Sequence, residues 1–293
     1  MKDSIKGTGV AMVTPFSSGQ VDYVAYEKVI NHVTNGQVEY LVPLGSTGES
    51  ATLSSEEQRS ILDFVIEKNQ GKKAIVAGNF GGKNTQAIVD QIKDYNFDGI
   101  DAILSSSPEY SKPSQEGIFH HYMALAEVSP VPIIIYNVPG RTKSNIEYET
   151  TLRLAEASEK FLAIKEASGD LVQATKIIQH KPDHFHVVSG DDELALPLVA
   201  LGGSGVISVI ANAYPYEFSE MIRQALNNDI VSARKWNKKT YPVHKWLYID
   251  GNPVGIKAAM EVLGICSREV RLPLYELGAD YFSSLKSAMQ NLD

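Results

Sequence analysis

The 293-residue chain is 43% hydrophobic and 21% charged, which is typical of a globular protein with one large core. Its formal net charge of −8 argues against nucleic-acid binding, which requires clustered Lys and Arg. No stretch approaches the roughly 18 apolar residues of a membrane span, and the start of the chain lacks the apolar run of a signal peptide. We therefore expect a cytoplasmic protein that acts on small molecules and binds no membrane.

Eight short runs rich in β-branched residues predict strands along the chain. They are Gly9–Val13, Tyr40–Leu44, Ala74–Ala77, Gly99–Leu104, Pro132–Tyr136, Leu162–Lys165, His186–Ser189 and Gly205–Ile210. Amphipathic patterns lie between these runs, and two of them predict helices that begin at Ser54 and Asn84, both favourable N-cap residues. This alternation of strand and helix predicts a parallel sheet.

The order of elements favours a closed (β/α)8 TIM barrel over an open doubly wound sheet. A dinucleotide-binding sheet requires GxGxxG directly after its first strand, and the residues after Gly7 and Gly9 do not supply it. Polar and glycine-rich segments instead follow successive strands, and in a barrel such ends face one mouth. We predict a barrel with the active site over residues 1–225 and a C-terminal helical appendage over 226–293.

Lys165 is the first candidate for chemistry, because it follows the apolar run FLAI and precedes a polar turn. An ordinary lysine has a pKa of about 10.4 and is a poor nucleophile at neutral pH unless it is desolvated. The end of a barrel strand can provide that desolvation, and a neutral amine can form an iminium with a ketone. The alternative from this segment alone is a strand-end lysine paired with Glu166 or Asp170.

Two further loops carry candidate binding groups. In GSTGES, the hydroxyls of Ser46 and Thr47 stand between glycines that let backbone N–H groups approach a carboxylate, although such residues also simply make turns. In IIIYNVPGRT, Tyr136 ends an apolar strand and Arg141 follows a Pro-Gly turn. The phenol could relay protons and the guanidinium could bind a carboxylate, or both could be merely structural.

Six motifs in this order and at these spacings resemble one family over almost the whole chain, from about Gly7 to the C-terminal helices. The motifs are GSTGE, YSKPSQEG, YNVPGRT, IKEASGD, SGDD and GVISV. They are similar to those of dihydrodipicolinate synthase (4-hydroxy-tetrahydrodipicolinate synthase), in the N-acetylneuraminate lyase superfamily. The resemblance implies condensation of pyruvate with L-aspartate 4-semialdehyde on the route to diaminopimelate and lysine.

The resemblance also implies roles for individual residues. Lys165 matches the Schiff-base lysine, and Tyr136 matches a tyrosine that shuttles protons. Tyr110 matches a second tyrosine, which in the family reaches across a dimer interface of a homotetramer. No metal or organic cofactor is implied, because the Schiff base is itself the electron sink. The other implied positions are Arg141, which would hold the semialdehyde carboxylate, Thr47, which would bind the pyruvate carboxylate, and the pocket-lining Gly190 and Ile207.

Ser46 departs from the family pattern, which has a threonine there. Serine keeps the hydroxyl that a relay with Tyr136 and Tyr110 requires. Serine is also the residue of the neuraminate lyase branch, so lyases for sialic acid or 2-keto-3-deoxy sugar acids remain alternatives. Arg141 and Tyr110 favour the synthase, because a long neutral sugar has no second carboxylate for Arg141. A catalytically silent barrel that binds a keto acid is a further alternative.

Feedback inhibition by lysine is the last expectation from the resemblance. In the lysine-inhibited branch of the family, histidine, asparagine, glutamate and tyrosine side chains hold lysine at the dimer interface. Alignment of the motifs places other residue types at these positions, which predicts an enzyme with weak or no sensitivity to L-lysine. The positions are Ser55, Gln58, Gly82, Gln86 and Glu109.

Overall fold

Eight parallel strands close into a barrel in the computed structural model, which describes residues 5–290. The first strand pairs with both the second and the eighth, so the sheet has no free edge. The predicted TIM barrel is therefore confirmed. We number its strands β1 Gly7–Ala11, β2 Tyr40–Val42, β3 Ala74–Ala77, β4 Ala102–Ser106, β5 Ile133–Asn137, β6 Phe161–Glu166, β7 His186–Ser189 and β8 Gly205–Ser208.

Helices follow the strands around the outside of the barrel and continue beyond it at the C-terminal end. Ser54 and Asn84 cap two of them as predicted, and Ser54 forms a reciprocal capping box with Glu57. The helices are α1 Tyr23–Asn35, α2 Ser55–Asn69, α3 Thr85–Asp94, α4 Gln115–Val128, α5 Pro139–Thr142, α6 Tyr148–Ala157, α7 Leu171–His180, α8 Ala195–Ala200, α9 Pro215–Leu226, α10 Ile230–Tyr248, α11 Val254–Val262 and α12 Ala279–Gln290.

The strands are buried on both faces, which explains why they are apolar runs instead of alternating ones. In β5, Ile134 and Tyr136 belong to the cluster inside the barrel, whereas Ile133 and Ile135 pack outward under the helices. Successive strand residues point to opposite faces, so every second residue of a strand reaches the barrel interior. This alternation selects the side chains that can reach the mouth.

The last barrel strand ends earlier than the sequence predicts, at Ser208 instead of Ile210. The buried carboxylate of Asp192 accepts hydrogen bonds from the backbone N–H groups of Val209 and Ile210. Ile210 then begins a short 3-10 turn, Ile210–Asn212. A side chain distant in sequence therefore takes over the N–H groups that a longer strand would have used.

A two-stranded ribbon, Phe16–Ser17 with Gln20–Val21, was not predicted. Its turn residues Ser18 and Gly19 both have positive φ, the backbone conformation that suits a two-residue hairpin. The Ser-Gly dipeptide is the sequence signal that could have located this hairpin. The carboxylate of Glu269 accepts hydrogen bonds from both turn N–H groups.

Helices α10 to α12 pack against one another, and α10 packs against α9 on the outside of the barrel. The hydroxyl of Tyr248, at the end of α10, donates to the buried Asp192 carboxylate at 2.8 Å. Burial, with the nearby Asp192 carboxylate, raises the pKa of Tyr248 well above its usual value, so the phenol stays protonated and remains a donor.

Cys266 is buried with a free thiol. Between residues 5 and 290, no helix has the length and apolar character needed to cross a membrane.

His121 on α4 is a buried imidazole held neutral by its surroundings. It is 4% exposed, and its Nδ1 lies 2.9 Å from the Thr85 hydroxyl at the start of α3. Burial lowers its pKa from 6.5 to about 4. Between these two pH values the unfolded chain binds a proton that the folded chain does not, so acid destabilises the fold through this group.

We predict that His121 costs the protein stability as the pH falls from 6.5 towards 4. The loss amounts to about 3 kcal/mol once the pH is below 4, because each unit of pKa shift is worth about 1.4 kcal/mol. Well above pH 6.5 His121 contributes no pH dependence. Urea unfolding of His121→Gln at several pH values should show a shallower acid loss than the wild type. The exposed His120→Gln is the control, and equal pH dependence in both variants would contradict the prediction.

Candidate active site

Lys165 and Tyr136 lie side by side at the carboxyl ends of adjacent strands. Tyr136 on β5 pairs in register with Lys165 on β6, and both side chains are buried. The Lys165 Nζ atom lies 4.4 Å from the centre of the Tyr136 ring. The only polar atom of the lysine side chain is thus held in a buried position beside an aromatic phenol.

Glu166, the neighbour that offered a structural role for Lys165, points to the other face of β6. Its carboxylate accepts hydrogen bonds from the side chains of Asn137 and Gln173 and from the backbone N–H of Ser168. Within residues 5–290, Lys165 forms no ion pair with Glu166 or Asp170. The lysine is therefore not a simple partner of the carboxylates next to it in sequence.

Of two predicted pocket residues, Gly190 directly follows β7 and lies against Lys165, and Ile207 lies on β8. A Cβ atom at Gly190 would lie 3.1 Å from both Cγ and Cε of Lys165 and 2.6 Å from the Cβ of Ala167. The close approach of Ala167, with the Lys165 side chain next to it, therefore favours glycine at this position. Ile207 is 1% exposed and belongs to the same interior cluster as Tyr136.

The GSTGE loop after β2 forms a 3-10 turn, Ser46–Gly48, at the same mouth. Thr47 is buried at 3% exposure and Ser46 is half-buried. Glu49 closes the turn in the left-handed backbone conformation with φ of 54°. The turn places two hydroxyls where strand β2 ends.

Glu49 anchors this loop through an ion pair that sequence reasoning missed. Its Oε1 accepts from the Lys257 Nζ at 2.8 Å, and neither side chain has any exposed surface. Lys257, on α11, also donates to the backbone oxygen of Thr14, while Arg271 donates its backbone N–H to Glu49 Oε2. Burial lowers the pKa of Lys257, and the Glu49 carboxylate opposes that change. Glu49 stands in the motif, but its partner lies 208 residues away and carries no local signal.

Arg141 lies on the short helix α5 and is exposed at the mouth. Its Nη2 donates to the backbone oxygen of Asn252 at 3.1 Å. The side chain of Asn252 in turn donates its Nδ2 to Thr47 Oγ1 at 2.9 Å. The structure therefore connects two predicted carboxylate-binding residues through a residue of the C-terminal region that sequence reasoning did not select.

Tyr110 is separate from the buried group around Lys165. It is 84% exposed, with a φ of 70°, in the loop between β4 and α4. Its backbone N–H donates to the backbone oxygen of Thr142, which fixes this loop against α5. The single chain thus brings Lys165, Tyr136 and Gly190 together and leaves the Tyr110 side chain in solvent.

The comparison with known families decides the assignment. The Dihydrodipicolinate synthetase family model matches residues 4–292. The chain belongs to this family. A 4-hydroxy-tetrahydrodipicolinate synthase from Flavobacterium psychrophilum is 46% identical over 280 residues, which is 95% of each chain.

Solved structures of the family share the fold over nearly the full length. A chloride-inhibited dihydrodipicolinate synthase from Acinetobacter baumannii, complexed with pyruvate, has a TM-score of 0.94 and 36% identity, covering 98% of this chain and 99% of that one. A monomeric dihydrodipicolinate synthase variant has a TM-score of 0.96 and 31% identity, covering 99% and 98%. The likeness therefore includes the C-terminal helices as well as the barrel.

We predict that Gly190→Ala destabilises the fold by about 1–3 kcal/mol, the usual cost of inserting a methyl group into a filled site. The new Cβ must displace Ala167, which it would meet at 2.6 Å, and it would crowd the Lys165 side chain at 3.1 Å. Gly278→Ala is the matched control, because a Cβ there meets no atom within 4 Å. Urea unfolding of both variants measures the difference, and a Gly190→Ala variant as stable as the control would count against the crowding argument.

Proposed function

We propose that the chain is a 4-hydroxy-tetrahydrodipicolinate synthase, a lyase that condenses pyruvate with L-aspartate 4-semialdehyde through a Schiff base on Lys165. The observation that carries the proposal is the buried Lys165 beside Tyr136 at the barrel mouth, in a chain that belongs to the dihydrodipicolinate synthetase family. Relatives that match nearly the whole chain carry the same enzyme name.

The chemistry begins at the Lys165 amine, which adds to the C2 carbonyl of pyruvate and releases water. The iminium withdraws electrons from C3, which loses a proton to give an enamine. C3 of the enamine attacks the aldehyde carbon of the semialdehyde. The amino group of that substrate then attacks C2, which closes the ring and frees Lys165.

The surroundings of Lys165 support this role, because its amine is buried beside the Tyr136 ring and forms no ion pair with Glu166 or Asp170 among residues 5–290. The Tyr136 ring centre lies 4.4 Å from the Lys165 amine, and we assign its phenol to proton transfer at C2. In this scheme Thr47 binds the pyruvate carboxylate, and Gly190 and Ile207 line the pocket around the imine. No metal or organic cofactor takes part in any of these steps.

The position of Arg141 favours a second substrate that carries a carboxylate. Its guanidinium is exposed at the mouth, held by the Asn252 backbone oxygen on one side. Its remaining N–H groups can form two parallel hydrogen bonds to a carboxylate. L-Aspartate 4-semialdehyde has such a group close to its aldehyde, whereas a long neutral sugar does not.

The exposed Tyr110 supports a functional assembly. Its ring lies in solvent in the single chain, with Lys83 stacked against it at 5.8 Å. We propose that Tyr110 completes the proton relay with Tyr136 and Ser46 in a neighbouring subunit of a homotetramer, a dimer of dimers. The free, buried thiol of Cys266 suits the reducing cytoplasm in which we place the enzyme.

Trapping with pyruvate and borohydride tests the mechanism. We expect one reduced pyruvyl group on the peptide that contains Lys165, and Lys165→Ala should lack both the adduct and turnover, with a loss of activity on the order of 10³-fold or more. Lys176→Ala, on the outer helix α7, is the control and should label normally. An adduct on another lysine would refute the assignment.

Turnover measured with a panel of aldehydes then distinguishes the synthase from other aldolases that form the same Schiff base with pyruvate. A lyase for sialic acid or 2-keto-3-deoxy sugar acids, the alternative that Ser46 raised in the sequence, would use the same lysine with a different aldehyde. Preference for L-aspartate 4-semialdehyde over N-acetylmannosamine and sugar aldehydes supports the synthase. Labelling at Lys165 without turnover of any aldehyde would instead indicate a keto-acid-binding barrel.

Three of the residues that align with the family's binding site for the effector L-lysine have other partners in this chain. The Gln86 amide donates to Asp90 at 2.8 Å, and Gln58 donates to the backbone oxygen of Ser50 at 3.0 Å. Glu109, the charge that could replace a lost lysine contact, lies 4.0 Å from Lys83. Gln86 and Gln58 carry no charge, and Glu109 is already paired with Lys83, so an incoming ammonium group meets no uncommitted carboxylate among these three residues.

We therefore predict that L-lysine inhibits the enzyme weakly or not at all. Two missing polar partners cost about 1–3 kcal/mol each, which lowers affinity by at least an order of magnitude. A steady-state assay at saturating pyruvate, with L-lysine raised to millimolar levels, measures the inhibition. D-Lysine at the same concentrations controls for ionic strength. Strong partial inhibition at sub-millimolar L-lysine alone would show that the interface binds the effector by other contacts.

A further inference from the structure

Asn252 contacts both of the residues that we assign to substrate carboxylates. Its side-chain Nδ2 donates to Thr47 Oγ1 at 2.9 Å, and its backbone oxygen accepts from Arg141 Nη2 at 3.1 Å. It lies between α10 and α11, outside the predicted barrel region, and is half-buried. A single residue of the C-terminal region is thus placed between the two proposed binding groups.

The direction of the hydrogen bond to Thr47 decides what the threonine can do. A hydroxyl has one hydrogen to donate and lone pairs to accept. When Thr47 Oγ1 accepts from the Asn252 amide, its own hydrogen remains available for another acceptor. A carboxylate is an acceptor only, so this arrangement prepares Thr47 to bind an anion, and accepting one bond strengthens the bond that it donates.

The amide of Asn252 is held in this orientation at a cost to the fold. Its Oδ1 is buried and finds no hydrogen-bond partner among the described residues. A buried, unpaired acceptor lowers stability, and such groups in a folded protein call for an explanation beyond packing. The explanation that fits is a role at the site, where Nδ2 is directed at Thr47.

The position of Asn252 depends on the same anchor as the GSTGE loop. Five residues further along, Lys257 forms the buried ion pair with Glu49, which follows Thr47 by two residues. The two segments are therefore joined at two points, Asn252 with Thr47 and Lys257 with Glu49. The buried ion pair thus holds the segment that carries Asn252 against the loop that carries Thr47.

We propose that Asn252 is a positioning residue, whose side-chain amide holds the Thr47 hydroxyl as a donor for the carboxylate of pyruvate. This inference rests on the proposed function of the site. It assigns the side chain of Asn252 to the pyruvate step, whereas its backbone oxygen holds Arg141 for the second substrate. A change of side chain should therefore affect the two substrates differently.

Steady-state kinetics of Asn252→Asp and Asn252→Ala test the proposal. Aspartate has the shape of asparagine, but its carboxylate accepts the Thr47 hydrogen and repels the substrate anion. We expect the KM for pyruvate to rise at least about tenfold in Asn252→Asp and several-fold in Asn252→Ala, with kcat within about threefold of the wild type. The KM for L-aspartate 4-semialdehyde should stay within about twofold, because both variants keep the backbone oxygen.

Two controls show that the effect acts through Thr47. Asn227→Asp, on an exposed residue at the end of α9, introduces the same charge away from the site and should leave both KM values unchanged. In a Thr47→Val background, the effect of Asn252→Ala on the KM for pyruvate should fall below about twofold, because the coupled partner is gone. If Asn252→Asp does not fold, the test depends on Asn252→Ala and on its comparison in the Thr47→Val background.

Three results would overturn the proposal: a KM for pyruvate within about twofold of the wild type in Asn252→Ala, equal effects on both substrates, or an undiminished effect in the Thr47→Val background. Failure of the proposed function has a different signature. In that case the wild type itself would show no pyruvate adduct at Lys165 and no turnover, before any variant is compared.

Discussion

The closure of eight parallel strands, with β1 paired to both β2 and β8, is the constraint on which the site depends. Because all the strands run in one direction, every carboxyl end opens at the same mouth. The register between β5 and β6 then sets Tyr136 beside Lys165, and alternation along each strand points both side chains inward. A slip of one residue in β6 would direct Glu166 into the barrel in place of the lysine.

The buried ion pair of Glu49 and Lys257 makes the C-terminal helices part of this site. Removing two charges from water is expensive, and the pair is tolerated because each partner has further hydrogen bonds, from Lys257 to Thr14 and from Arg271 to Glu49. Loss of either partner alone would leave an uncompensated buried charge. The loop that presents Ser46 and Thr47 is therefore held from outside the barrel, and the division of the chain into a barrel over 1–225 and an appendage over 226–293 stays a prediction.

Most of the fold could be predicted because its signals are local. The apolar run of β5 and the cap residue Ser54 each identify an element from a few neighbouring residues. Predictions failed where a distant side chain intervened, as at Ser208, where Asp192 takes the N–H groups that a longer strand would use. The site shows the same division: motifs identified Lys165, whereas Asn252 precedes a proline in a segment with no catalytic pattern and was missed.

By itself the sequence determined the kind of fold, the order of its strands and helices, and a set of candidate residues at strand ends, because hydrophobic period, helix caps and motifs are properties of adjacent residues. Only the tertiary structure decided which of those candidates meet. It set Gly190 against Lys165, joined Thr47 and Arg141 through Asn252, and left Tyr110 in solvent. The physical reason is that these contacts join residues far apart in the chain, and chain closure and packing, not local preference, bring them within hydrogen-bond distance.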